Sequence, residues 1–154
     1  MDKLENKKIE YVFIDEKSDL YEQSINLRYD EFYKDFNRTR ESIFDEYENE
    51  STRIVACIDN KVIGHARLFI DERKNSEITQ VVVNKEYRGM NIGAEIMTNL
   101  LTFAKENCVK NVELDARIYA INFYKKLGFR SKGDIFESKK TGLPHIRMEM
   151  CFNN

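Results

Sequence analysis

VVVNKEYRGMNIGAEIM, residues 81–97, decides how the rest of the chain is read. Three β-branched residues run through a short basic turn into a segment whose apolar residues recur at helical spacing: Ile92, Ile96, Leu100 and Ala104, with Met97, Leu101 and Cys108 beside them. The period changes from strand to helix within this stretch, so a strand feeds a helix of four to five turns. A helix N-terminus leaves backbone N–H groups unpaired and carries partial positive charge, which suits a phosphate or diphosphate. Gly89 and Gly93 let a ligand approach the backbone, and Arg88 adds a cationic fork. No Gly-Lys-Ser/Thr follows, which excludes a Walker A loop, and the spacing G-x-G-x-x-G is absent.

Downstream of this helix, NVEL (111–114) reads as a strand, and a second helix carries Ala116, Ala120, Phe123 and Leu127 on one face, with Tyr119 and Tyr124 in or near it. Lys125, Lys126 and Gly128 supply its C-terminal punctuation. Residues 129–136 and 145–152 are two more strands, joined by SKKTGLP. Upstream, residues 9–14 (IEYVFI) form a short strand. Asp19 and Glu22 resemble a capping box that opens a helix bearing Ile25, Tyr29, Phe32 and Phe36. The acidic stretch 41–50 is a short helix or ordered loop with a solvated face. Residues 52–58 and 61–70 form a hairpin around Asp59-Asn60, and DERKNS leads into a third strand, 77–83. The predicted fold is α+β: a central, mostly antiparallel sheet flanked by helices, containing one parallel, right-handed strand–helix–strand unit.

Composition bounds the function. The 154 residues fit one domain, spanning 1–154, and carry 25 Lys+Arg against 27 Asp+Glu, a net charge of −2. No overall field draws the chain to nucleic acid or to anionic lipid. With no run near the ~20 apolar residues a membrane helix needs, no membrane association is expected. The polar start MDKLENKKIE holds no signal-peptide core, so the expected location is cytoplasmic. Cys57, Cys108 and Cys151 sit in apolar stretches and are expected as buried thiols rather than nucleophiles. No His/Cys cluster has metal-ligand spacing, so no metal is expected.

Taken together, two segments resemble the GNAT superfamily of N-acetyltransferases. Arg88-Gly89-Met90-Asn91-Ile92-Gly93 is similar to that family's acetyl-CoA signature Gln/Arg-x-x-Gly-x-Gly/Ala, and Ala120, Tyr124 and Leu127-Gly128-Phe129 resemble its closing motif. The ending GLPHIRMEM (142–150) resembles a bacterial subgroup with a terminal Pro-His-x-x-Met strand. The likeness is strong over residues 76–129. It departs at Asn91, which replaces the first motif glycine, and at Arg117, where many members have an Asn that touches the cofactor. Asn is the non-glycine residue best suited to left-handed backbone, and its N–H is retained.

The resemblance implies acetyl-CoA as co-substrate, held by residues 88–94 (Ala94 included) and by the backbone of Val81, Val82 and Val83. It implies direct attack of a primary amine, from a small molecule or a protein amino group, with Tyr124 as general acid. A homodimer is a further implication. Glu77, His65 and His145 are the candidate bases or substrate-side residues. A non-catalytic acyl-CoA-binding sensor or partner-binding module remains the alternative reading. A nucleotide-phosphate binder built on the Arg88 turn is a third.

Overall fold

The computed structural model describes residues 8–152. The residues at the two ends of the 1–154 domain, including most of the polar start, lie outside that span. Seven strands join in one sheet of order β1-β2-β3-β4-β5-β7-β6. These are β1 (Glu10–Ile14), β2 (Thr52–Ile58), β3 (Lys61–Ile70), β4 (Asn75–Val83), β5 (Asn111–Arg117), β6 (Arg130–Glu137) and β7 (Pro144–Cys151). Every neighbouring pair is antiparallel except β4 and β5, the two strands joined through the central helix. The mixed, mostly antiparallel sheet expected from the sequence is therefore present.

Three helices flank the sheet: α1 (Tyr21–Phe32), α2 (Ile92–Glu106) and α3 (Ile121–Leu127). The stripe Ile92, Ile96, Met97, Leu100, Leu101 and Ala104 seats α2 on Ile54, Ala56, Ala66 and Leu68 in the main apolar core. Gly64 sets the depth of this packing, because a Cβ there would lie 2.6 Å from Ile96 Cδ1. Successive strand residues face opposite sides. Arg53, His65 and Arg67 therefore point to the other face, where α1 packs over a smaller cluster of Ile25, Tyr33 and Ile43.

The β2–β3 hairpin turns at Asp59 and Asn60 with φ of 49° and 62°, the double left-handed geometry that an Asp-Asn pair tolerates. Elsewhere the structure corrects the sequence reading. The capping box at Asp19 does not form: α1 starts after Leu20, whose N–H is bound by Ser18 Oγ at 3.1 Å. The strand expected at 111–114 runs on to Arg117, and Ala116 lies on it rather than on a helix. Pairing of all seven β5 residues with β7 holds the chain extended, so the helix shrinks to a single 3-10 turn and the seven residues of α3. Only Cys57 is a buried thiol. Cys108 stands exposed in the turn after α2, and Cys151 is exposed at the end of β7.

Candidate active site

Parallel pairing between β4 and β5 covers only three steps, Asn75↔Asn111, Ser76↔Val112 and Glu77↔Glu113. Beyond Glu77 the two strands separate, and the flank of β4 that faces β5 is left without a partner strand. A cleft of about 890 Å3 opens there, within the size range of small-molecule sites. Val81, Val82 and Val83 line it from β4, Leu114 and Arg117 from β5, and Phe123 and Tyr124 from α3.

At one end of the cleft stands the start of α2. Asn91, the residue before the helix, is left-handed at φ 65°, the geometry its motif position requires. Its side chain does not cap the helix, and Glu95 N–H, bonded to Asn91 O at 3.2 Å, closes the first turn. The N–H groups before Glu95 are thus left for a ligand. Gly93 faces Phe123 and Val83, with room for a Cβ only in close contact at 3.4 Å. Gly89, Asn91, Ile92, Gly93 and Ala94 border the cleft, whereas Met90 is exposed and is not one of its lining residues. Arg88 also borders it, but its guanidinium is engaged: Nε donates to Val83 O at 3.1 Å, and Nη2 meets Glu31 at 3.3 Å. Arg117 donates to the same Glu31 at 3.2 Å and lies over the Phe32 ring.

Tyr124 forms part of the cleft wall. Its ring is fixed edge-on by Phe123 and Phe129, with centroids 5.0 and 5.9 Å away. Only 7% of the residue is exposed. Among the described residues its hydroxyl has no hydrogen-bond partner, although a buried phenol ordinarily finds one. Burial pushes its pKa up, the nearby Tyr119 hydroxyl adds to this, and the Arg117 charge opposes it. The group therefore keeps its proton through neutral pH. Tyr119, by contrast, is 77% exposed and belongs to no buried face.

The three candidate bases are placed very differently. His65 is fully buried outside the cleft, its Nδ1 on Gln80 O at 2.8 Å and its Nε2 without a partner. Burial, reinforced by the Arg28 charge, drives its pKa well down, so it is a neutral core imidazole rather than a base. Glu77 borders the cleft but is held by Arg147 Nη1 at 2.8 Å. Arg147 also binds Glu113 and Asp115, each at 3.0 Å. His145, the second residue of β7, lies opposite Arg117 of β5 and Phe136 of β6 and borders the cleft. Its Nδ1 lies 2.8 Å from Leu143 O. A carbonyl oxygen only accepts, so Nδ1 carries the hydrogen and Nε2 of the neutral ring is the acceptor.

The cleft is also lined by residues that the sequence did not single out: Tyr33, Asp45, Tyr47, Arg67, Phe69 and Lys140. The acidic stretch 41–50 is not simply a solvated face. Asp45 grips Arg67 through both oxygens, at 3.1 and 2.7 Å, and Glu48 is buried at 1% exposure. Burial raises the Asp45 carboxyl, and the hydrogen bonds and charge of Arg67 more than reverse this, leaving it below the usual range. The available signal was the arginine in each of two apolar strand runs, TRIVACI and KVIGHARLFI, which calls for a buried anion somewhere in the chain.

Comparison with known proteins agrees with this geometry. The acetyltransferase (GNAT) family model matches residues 21–129, and the chain belongs to that family. Membership makes it an acyltransferase. The uncharacterized N-acetyltransferase YjcF of Bacillus subtilis is 31% identical over 122 residues, 79% of this chain and 86% of YjcF. The fold matches that of Escherichia coli ElaA with TM-score 0.78 at 23% identity, covering 92% of this chain and 99% of ElaA. It also matches an aminoglycoside 6'-N-acetyltransferase complexed with coenzyme A, with TM-score 0.75 at 15% identity, covering 92% and 96% of the two chains.

Proposed function

We propose that the protein transfers the acetyl group of acetyl-CoA to a primary amine by direct attack, with Tyr124 as general acid and His145 as general base. The observation that carries the reading is Tyr124, a phenol in the cleft wall with no hydrogen-bond partner among the described residues, beside an open β4 edge and an uncapped α2. The free N–H groups of the α2 start would hold the diphosphate, and β4 would bond the pantetheine arm. The cleft's size and the missing side chain at Gly93 fit that ligand.

In the reaction the amine lone pair forms the C–N bond while the thioester C–S bond breaks. A β4 N–H takes up the charge developing on the carbonyl oxygen. The proton lost by the amine goes to His145 Nε2, and the thiolate sulfur takes one from Tyr124. A lysine-like amine has a pKa near 10.4, about three units above neutral pH, so a proton acceptor has work to do.

Coenzyme A is expected to raise the melting temperature where ATP does not, and an amine panel with acetyl-CoA is expected to release free thiol. Stabilisation without sustained thiol release from any amine would leave a non-catalytic acyl-CoA binder instead. His145→Gln should lower kcat/KM by about 10² at neutral pH, and the deficit should shrink toward alkaline pH, where the amine sheds its proton unaided. An unchanged pH–rate profile in the variant removes His145 from the mechanism.

A further inference from the structure

Along β5 the core takes every second residue. Val112, Leu114 and Ala116 are buried, and Glu113, Asp115 and Arg117 turn to the opposite face. In the β7 register Arg147 stands across from Asp115 and His145 across from Arg117, on that same face. Side chains directly opposite on antiparallel strands start about 4.5–5.5 Å apart. A guanidinium and the imidazole read above as the base are therefore immediate neighbours, and both border the cleft.

The Arg117 guanidinium is held on one side only. Its Nη1 donates to Glu31 Oε1 and to Tyr119 Oη, each at 3.2 Å, and the group lies 5.3 Å from the centre of the Phe32 ring. Among the described residues Nε and Nη2 donate to nothing. Their N–H groups form one edge of the planar fork, the edge that matches the two oxygens of a carboxylate. Burial and the Tyr119 hydroxyl raise the Tyr124 phenol while the Arg117 charge opposes them, so the open edge belongs to the same part of the cleft as Tyr124.

Charge on this face is unevenly answered. Arg117 and Arg88 share one carboxylate, Glu31, at 3.2 and 3.3 Å, which leaves a positive charge in excess. Arg88 closes its Nε on Val83 O at the start of α2, so the open fork is that of Arg117. One step back along the sheet, Glu77, Glu113 and Asp115 meet Arg147 and Lys132, with the opposite excess. A ligand that is itself dipolar matches both.

We propose that Arg117 is a specificity-determining residue: its open Nε/Nη2 edge takes the carboxylate of the acceptor, which is an α-amino acid. In such an acceptor one carbon separates the carboxylate from the amine, so docking on Arg117 leaves the amine beside His145. The bonds made and broken are those given above, and the products are an N-acetyl amino acid and free coenzyme A. The chemical step rests on the acyl-transfer reading; the binding step does not.

The test sets the proteinogenic L-amino acids against their carboxamides, with acetyl-CoA as donor. At least one amino acid is expected to exceed its amide by about tenfold in kcat/KM, although the amide carries the less basic amine. Arg117→Gln should cost that amino acid about 10–10² in kcat/KM and its amide far less, with KM for acetyl-CoA changing less than KM for the acceptor. Arg117→Lys keeps the charge without the fork and should fall between. It carries the comparison if the glutamine variant does not fold. Equal turnover of acids and amides by the parent, or an equal loss for both in the variants, would overturn the proposal.

Calorimetric titration of the same acids and amides into protein saturated with coenzyme A reads the site without turnover. If the parent acetylated no amine yet bound an amino acid more tightly than its amide, and Arg117→Gln erased the difference, acyl transfer would fall and the carboxylate site would stand. No difference in binding and none in turnover would remove the site.

Discussion

Tyr124→Phe is expected to lower kcat by about 10²–10⁴ while leaving coenzyme A affinity nearly unchanged. The substitution deletes one oxygen from a ring that Phe123 and Phe129 already fix edge-on, so the aromatic packing stays. The hydroxyl makes no hydrogen bond among the described residues, so no other side chain loses a partner. Such a change costs little stability but removes the proposed proton donor to the departing sulfur. A thiol's ordinary pKa is near 8.5 and a phenol's near 10, so transfer in water runs uphill. Burial raises the phenol further, but the same dry surroundings raise a thiolate placed beside it, and the hydrogen bond between the two then strengthens. Burst-free steady-state kinetics with a saturating amine, paired with calorimetry of coenzyme A binding, makes the measurement. A variant that cannot bind coenzyme A would show Tyr124 to be part of the donor site rather than its acid.

The second large effect belongs to Glu48. Its carboxylate receives Arg28 at 2.6 and 2.9 Å, Arg67 at 2.7 Å and Tyr21 Oη at 2.7 Å, with Arg53 at 3.3 Å. The three guanidinium groups are each no more than 2% exposed. Glu48→Gln keeps the shape and removes the charge, leaving three buried cations with Asp45 still against Arg67 and the exposed Glu16 3.8 Å from Arg53. Breaking a buried ion pair in this way typically costs about 3–5 kcal/mol, which urea unfolding would read directly. A loss no larger than that of an exposed pair, about 0.2–1 kcal/mol, would show that the arginines do not depend on it.

Acid should act in the same direction. Burial alone would raise the Glu48 carboxyl, but the hydrogen bond and charge of Arg28, then Tyr21 and Arg53, hold it well below the usual range. A depressed folded-state pKa gives stability that is complete above the unfolded value, near 4.3. It drains away as pH falls from there toward the folded value. Glu48→Gln should therefore flatten the acid limb of the stability curve.

The proposed donor half of the site was far more legible in the sequence than the proposed acceptor half, and the reason is local. The proposed donor contacts come from one continuous strand–turn–helix, residues 81–94, so residues that would act together are neighbours in the chain. Asn91 illustrates how far such reading reaches: the motif glycine it replaces, together with the tolerance of Asn for left-handed backbone, pointed to that geometry, and its φ is 65°. The acceptor half is assembled from α1, the 45–48 turn, β3 and the 138–141 loop, which meet only in three dimensions. Glu48 was read with a solvated acidic run because its three partners lie at positions 28, 53 and 67. A bulge in β4 at Gln80, whose φ is 55°, was invisible for a similar reason, since Arg28, Tyr33 and His65 hydrogen-bond it only in the folded chain. The α3 boundary was misplaced because apolar spacing at Ala116 and Ala120 satisfies a helix and a strand–turn alike, and only pairing with β7 decides between them.

The outer margin of the sheet has its own consequence. All eight residues of β6 are exposed, and Gly133, at φ 86°, kinks the strand where its register with β7 shifts. A straight, bare margin would be a template on which another polypeptide could crystallise a further strand. Here the kink interrupts the row of free amides, and Arg130, Lys132, Asp134 and Glu137 place charge along it. That border resists fibre-like growth even though no other described element covers it.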